Sequence, residues 1–75
     1  MTLNEAELGV SYKIKDIETD DEELNSFLFS LGCYSGEEIT VVSAKPRSLV
    51  VSLKDARYNI DKNLAFAIKI YLNFQ

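Results

Sequence analysis

The single thiol, Cys33, and the four consecutive carboxylates Asp20-Asp21-Glu22-Glu23 are the side chains of this 75-residue sequence best suited to chemistry. Neither comes with companions. The chain has no histidine, which excludes Ser-His and Cys-His nucleophilic pairs, imidazole proton transfer and His-ligated zinc. One cysteine closes neither a structural zinc site nor an intrachain disulfide. No glycine-rich run resembles a phosphate cradle. Four adjacent carboxylates invite a hard-metal reading, but calcium and magnesium loops space their oxygens around a turn glycine. On a helix, four neighbours point in different directions. Helix capping accounts for them without a metal. The expectation is a protein that catalyses nothing and has no tight metal or cofactor site as an isolated domain.

Charge narrows the partners. The net charge is −4, unevenly placed: residues 1–38 carry ten acidic and two basic side chains, residues 39–75 six basic and two acidic. Nucleic-acid binding draws on lysine and arginine neutralising phosphates, so DNA and RNA are disfavoured. Solvated faces account for this distribution, with electrostatic steering toward a partner as the alternative. No apolar run approaches the roughly 20 residues of a spanning helix, and the first seven residues lack a secretory signal. With one unpaired thiol, a cytoplasmic protein without direct membrane insertion is expected.

These residues must be positioned by a single domain covering 1–75, since 75 residues with 47% apolar content support one core. Residues 1–11 form an opening segment closed by Gly9, with Leu3 and Leu8 available for packing. Tyr12, Ile14 and Ile17 suggest a first strand over 11–17 with a slip before Ile17. Thr19-Asp20-Asp21-Glu22 fits a capping box and puts the carboxylates in a first helical turn. Leu24, Phe27, Leu28 and Leu31 then make one apolar stripe, and Gly32 takes the left-handed stop, giving a helix over about 20–31. Later strands read at 38–43, 49–53 and 57–60, the first two separated by Lys45-Pro46-Arg47. Asp61 caps a single turn from Lys62 to Phe66. The last strand has Ile68, Ile70 and Leu72 inward, with Lys69 and Tyr71 outward. Short antiparallel strands at this spacing predict a mainly β, five-stranded small barrel that closes its own edges.

The segment Leu31-Gly32-Cys33-Tyr34-Ser35-Gly36-Glu37-Glu38-Ile39-Thr40-Val41-Val42 resembles the leucine-glycine, turn-glycine and Ile/Val-strand pattern of the FeoA family. Leu3, Gly9 and Ile14 before it are similar to that family's opening. Val51-Ser52-Leu53, Tyr58-Asn59-Ile60, Ala65, Ile68 and Ile70 are similar to its close. The sequence departs at Ser35, where the family commonly has proline, and in a helix that is acidic rather than arginine-bearing. The resemblance implies an SH3-like barrel with one inserted helix. It also implies a non-enzymatic cytoplasmic accessory protein of bacterial ferrous iron uptake, docking on a membrane GTP-binding transporter (FeoB-like). Iron enters as a transition-metal ligand only through that resemblance. The competing reading is a stand-alone SH3-like interaction or metal-responsive regulatory module.

Cys33 reads either as a buried, inert thiol or as a lone iron ligand without companions. Phe29, off the apolar stripe, together with Tyr34, Tyr71 and Phe74, either extends a small core or forms an exposed recognition patch. Gly32 and Gly36 bracket the loop 33–35 between two rigid elements, so little ordering entropy is lost on binding there. Phe29 and Tyr34, with Glu37 at the rim, are therefore the expected contacts to the membrane GTPase or to a second copy of the chain.

Overall fold

A computed structural model describes residues 1–72. Phe74 lies outside the described residues. Strands β1 (Ser11–Ile17), β2 (Glu38–Ala44), β3 (Ser48–Leu53), β4 (Ala56–Asp61) and β5 (Ile68–Leu72) form one sheet. Helix α1 (Glu22–Leu31) joins β1 to β2, and the short α2 (Lys62–Ala65) joins β4 to β5. The strand order is β4-β3-β2-β1-β5 with every pair antiparallel.

That order makes the sheet curl. Its two edges, β4 and β5, are consecutive in the chain and are linked by α2 and two further residues. In a flat sheet these edges would stand about 19 Å apart, four spacings of about 4.8 Å. A four-residue helix advances only about 6 Å. Rolling the sheet brings the edges together, and all five strands then feed one core. Tyr12, Ile14, Ile39, Val41, Leu49, Val51, Leu53, Ile60, Ile68 and Ile70 belong to a single buried cluster. Two register shifts bend the sheet on the way, at Ile14/Asp16 and at Val41/Ser43. The first is the slip the apolar pattern shows before Ile17.

The opening segment is tied down more firmly than its sequence suggests. Leu3 is buried inside a 3₁₀ turn over Leu3–Glu5, started by a Thr2 N–H donating to Glu5 Oε1 at 2.7 Å. The Gly9 N–H donates to the Val41 carbonyl at 2.9 Å, and Asn4 Nδ2 donates to the Lys62 carbonyl at 2.8 Å. Leu8, expected to pack, is exposed instead.

Three other expectations are corrected. Helix α1 begins two residues later than a Thr19 capping box requires. Its N-cap is Asp21, whose carboxylate accepts from the N–H groups of Glu23 at 2.9 Å and Leu24 at 3.3 Å. Thr19 Oγ1 accepts from Asp21 N–H at 3.2 Å and shapes the approach to the helix, so only Glu22 and Glu23 sit in the first turn. Second, the stripe is not uniformly buried: Leu28 is fully buried and Leu31 packs on the core, while Leu24 and Phe27 are exposed. A ten-residue helix lying over the small barrel has core beneath only its C-terminal half. Third, Leu72 is exposed at the end of β5, where its pairing partner Tyr12 is the first residue of β1 in register with β5. The turn capped by Asp61 is present, with Asp61 Oδ1 accepting from Asn63 N–H at 2.7 Å.

Candidate functional site

The end of α1 sets the geometry of the expected recognition loop. Gly32 adopts φ 91°, and its N–H turns back on the Leu28 and Phe29 carbonyls while Cys33 N–H donates to Leu28. A left-handed residue here reverses the chain and sends consecutive side chains to opposite sides. Cys33 enters the core and Tyr34 emerges over the last turn of the helix. There its ring meets Phe29, with centroids 4.9 Å apart and planes inclined at 35°. Phe29 is 66% exposed and Tyr34 half-buried, and neither belongs to the buried core cluster.

The loop is pinned from below. Gly36 N–H donates to the Ile14 carbonyl and Ile14 N–H to the Glu37 carbonyl, both at 2.9 Å, continuing the ladder of β1. Glu37 N–H donates to the Tyr34 carbonyl at 3.2 Å. A backbone held at three points loses little entropy on binding a partner.

One residue of this site escaped the sequence reading. Lys54 opens the two-residue turn between β3 and β4 with φ 55°, an uncommon angle for a side chain larger than glycine. Its aliphatic stem crosses the face of Gly32: a Cβ built on Gly32 would lie 2.5 Å from Lys54 Cε. Its ammonium donates to Glu37 Oε1 and stands 5.4 Å from the centre of the Tyr34 ring. The hydrogen bond from Lys54 holds the Glu37 carboxyl below its ordinary value, and the same bond raises the Lys54 ammonium above its own. The signal for this residue was a lysine where a hairpin turn favours glycine or asparagine, but its reach to Tyr34 depends on the barrel.

The chemistry available is that of recognition. Phe29 and Tyr34 offer apolar area with a phenol at its edge, and the Glu37–Lys54 pair offers a matched charge rim. Cys33 lies beneath them with its thiol pushed up to about 11 by burial, which keeps it protonated at neutral pH. The cause is burial; the helix dipole is not needed to account for it. Among the described residues, no three Cys, Asp or Glu side chains converge as a metal-binding group. No helix among them is long and apolar enough to cross a membrane. Tyr71, the other exposed aromatic expected to be available, lies on β5.

Five antiparallel strands around one core, with a helix inserted between the first two, define a small β-barrel domain of the SH3-like class. The family model for the FeoA domain matches residues 1–72, and the chain belongs to that family. This family is one of small accessory domains associated with ferrous iron transport. Among solved structures, the chain is similar to iron(II) transport protein A from Clostridium thermocellum, at 28% identity and TM-score 0.88. That match covers 96% of this chain and 45% of the other, so the chain spans less than half of that relative. It is also similar in fold to the zinc-complexed FeoA of Stenotrophomonas maltophilia, at 24% identity and TM-score 0.83, covering 95% and 89% of the two chains. A manganese-dependent transcriptional repressor shares the fold at 16% identity and TM-score 0.86, over 99% of this chain and 41% of that one. No curated protein sequence matches significantly.

Proposed function

We propose that this chain is a non-enzymatic, cytoplasmic accessory protein of ferrous iron uptake that docks on the membrane GTP-binding transporter through Phe29, Tyr34 and the Glu37–Lys54 pair. Membership of the FeoA family supplies the link to iron transport. The observation that carries the docking surface is the Phe29–Tyr34 ring pair, formed by an exposed Phe29 at the end of α1 and a half-buried Tyr34 on a loop anchored to β1. An aromatic pair on a rigid platform provides contact area at low ordering cost, and aromatic residues dominate the binding energy of protein interfaces. The charged rim then sets orientation: Glu37 and Lys54 already satisfy one another, so a partner must offer a matched polar group to either without breaking the pair.

The test uses the full chain and the solubilised membrane GTPase. Phe29→Ala and Tyr34→Ala are expected to weaken binding at least tenfold with melting temperatures close to the parent protein. A fall in melting temperature that accounts for the lost binding would assign both rings to stability instead. Unchanged binding in both variants would remove this surface from the interface.

A further inference from the structure

The two edges of the sheet are finished differently. The outer side of β5 is covered by the start of the chain: Ile70 N–H donates to the Met1 carbonyl at 2.9 Å, and Thr2 bridges to Lys69. Strand β4 pairs with β3 alone. The phase of that ladder shows which backbone groups are left over. Lys62 N–H donates to the Arg47 carbonyl at 3.0 Å, two residues beyond the Leu49–Ile60 pair, with Val51–Tyr58 and Leu53–Ala56 following in step. Backbone bonds in an antiparallel pair alternate, so the even-numbered residues of β4 bond to β3. Arg57, Asn59 and Asp61 direct their backbone groups the other way. Among the described residues, those of Arg57 and Asn59 find no partner outside the β3–β4 pair.

Sheets guard such an edge with proline, a bulge or a row of charge. Strand β4 has no proline, and its register with β3 is regular from Ser48–Asp61 to Leu53–Ala56. Its two charged side chains are opposite in sign, and Arg57 and Asp61 stand two residues either side of Asn59. Both are exposed, and their neighbours in β3 are the uncharged Ser52 and Ser48. Among the described residues the ion pairs are Lys54–Glu37 and Lys69–Glu18, so neither charge has an ionic partner in its own chain. Asp61 caps α2 through Oδ1, which leaves its other oxygen available.

We propose that β4 pairs antiparallel with β4 of a second copy, about a two-fold axis through Asn59. That register sets Asn59 opposite itself and Arg57 opposite Asp61 of the second copy. It forms backbone hydrogen bonds between the two Asn59 residues and from each Asp61 N–H to an Arg57 carbonyl, the Asp61 carbonyl being committed to the first turn of α2. Two cross-strand ion pairs lie on the exposed face, and half-buried Tyr58 comes opposite Ile60 of the second copy on the other. Charge complementarity selects both the occupant and the register. A slip of two residues toward the hairpin turn sets Asp61 against Asp55, and a slip the other way carries Arg57 past the end of the strand. An unrelated extended segment gains the same pairs only by repeating this spacing of charges. The edge is short, so the dimer is weak and forms at high protein concentration. The inference is independent of the iron-transport reading and shares no residue with the Phe29–Tyr34 surface.

The test is sedimentation velocity and amide NMR of the full chain over a concentration series, with a reductant present to keep Cys33 from cross-linking copies. Self-association is expected, weakening as sodium chloride is raised, with concentration-dependent shifts at the Arg57, Asn59 and Asp61 amides. Asn59→Pro removes an N–H that points away from β3, so it should abolish the dimer and keep the β3 ladder. Arg57→Glu sets two carboxylates against each other at both ends of the pairing and should weaken association at least tenfold with an unchanged melting temperature. Asp61→Asn retains a capping oxygen and should weaken it less. Phe29→Ala should dimerise like the parent protein. Should Asn59→Pro fail to fold, Arg57→Glu decides. A chain that stays monomeric throughout, a dimer that persists in Arg57→Glu or in folded Asn59→Pro, or one lost on Phe29→Ala would each overturn the proposal.

Discussion

Lys54 lies across the face of Tyr34, its ammonium 5.4 Å from the ring centre, although the two residues belong to different turns of the barrel. The same ammonium is bonded to Glu37, so one side chain from the β3–β4 turn holds both ends of the loop that follows α1. The Phe29–Tyr34–Glu37 surface is thus assembled from three elements, with Lys54 holding it together.

That dependence has a pH signature. The Glu37 carboxyl is held below its ordinary value of 4.5 and the Lys54 ammonium above its ordinary 10.5. The contribution of Glu37 is present above about pH 4.5 and is lost as pH falls through its lowered folded value. That of Lys54 is present below about pH 10.5 and is lost as pH rises through its raised one. Tyr34 ring resonances should therefore move at both extremes and stay constant between them. Glu37→Gln should abolish the acid transition, and resonances that still titrate in that variant would point to another group.

The turn itself gives a second contrast. At φ 55°, Lys54→Gly should fold at least as stably as the parent protein, whereas Lys54→Val should lower the melting temperature, because a β-branched side chain tolerates that angle poorly. Both variants lose the ammonium, so both should free the Tyr34 ring. Calorimetry for stability and NMR of the aromatic region check the two statements separately.

Gly32→Ala should cost about 1–2 kcal/mol from the left-handed backbone alone. The new Cβ would also displace the Lys54 stem and with it the ion pair to Glu37. Chemical denaturation measures the loss. A variant as stable as the parent would show that the helix stop can be re-formed without glycine.

Cys33 should be unreactive in the native state. Its thiol is moved from an ordinary 9.0 to about 11, which favours the protonated form in the folded protein. That stability is present below pH 9 and declines as pH rises toward 11, by at most about 2–3 kcal/mol. Alkylation at pH 8 should run at the rate of transient unfolding. Titration calorimetry with ferrous iron should give the same isotherm for the parent protein and Cys33→Ser, and a sub-micromolar site lost in the variant would make Cys33 a ligand.

The helix stripe divides energetically. Leu28→Ala should cost about 2–5 kcal/mol, the range for emptying a fully buried leucine site. Phe27→Ala and Leu24→Ala, at exposed positions, should each change stability by no more than about 0.5 kcal/mol. Equal losses across the stripe would mean that α1 packs more deeply than its C-terminal half.

Local chemistry in the sequence determined the elements. Alternation of apolar residues set β1 at its observed bounds and marked the slip before Ile17. Gly32 set the end of α1, Asp61 set the cap of α2, and the β-branched runs set β2 and β3 to within a residue or two. Such features depend on neighbours a few positions away, and those neighbours are adjacent in any fold. The sequence also brought Phe29 and Tyr34 together, because a left-handed stop followed by one turn leaves them little other choice. What lies beneath α1 was decided only by the tertiary structure. A periodic stripe reports which residues share a helix face, but the extent of the barrel beneath that face decides which are buried. The start of α1 was set by Asp21, which accepts from Glu23 and Leu24 N–H while Thr19 accepts from Asp21 N–H, an arrangement that depends on the path of the chain leaving β1. Lys54 was placed beside Tyr34 by curling of the sheet, which brings the β3–β4 turn over the end of α1. No pattern of nearby residues encodes that contact, because it exists only once five strands have closed around one core.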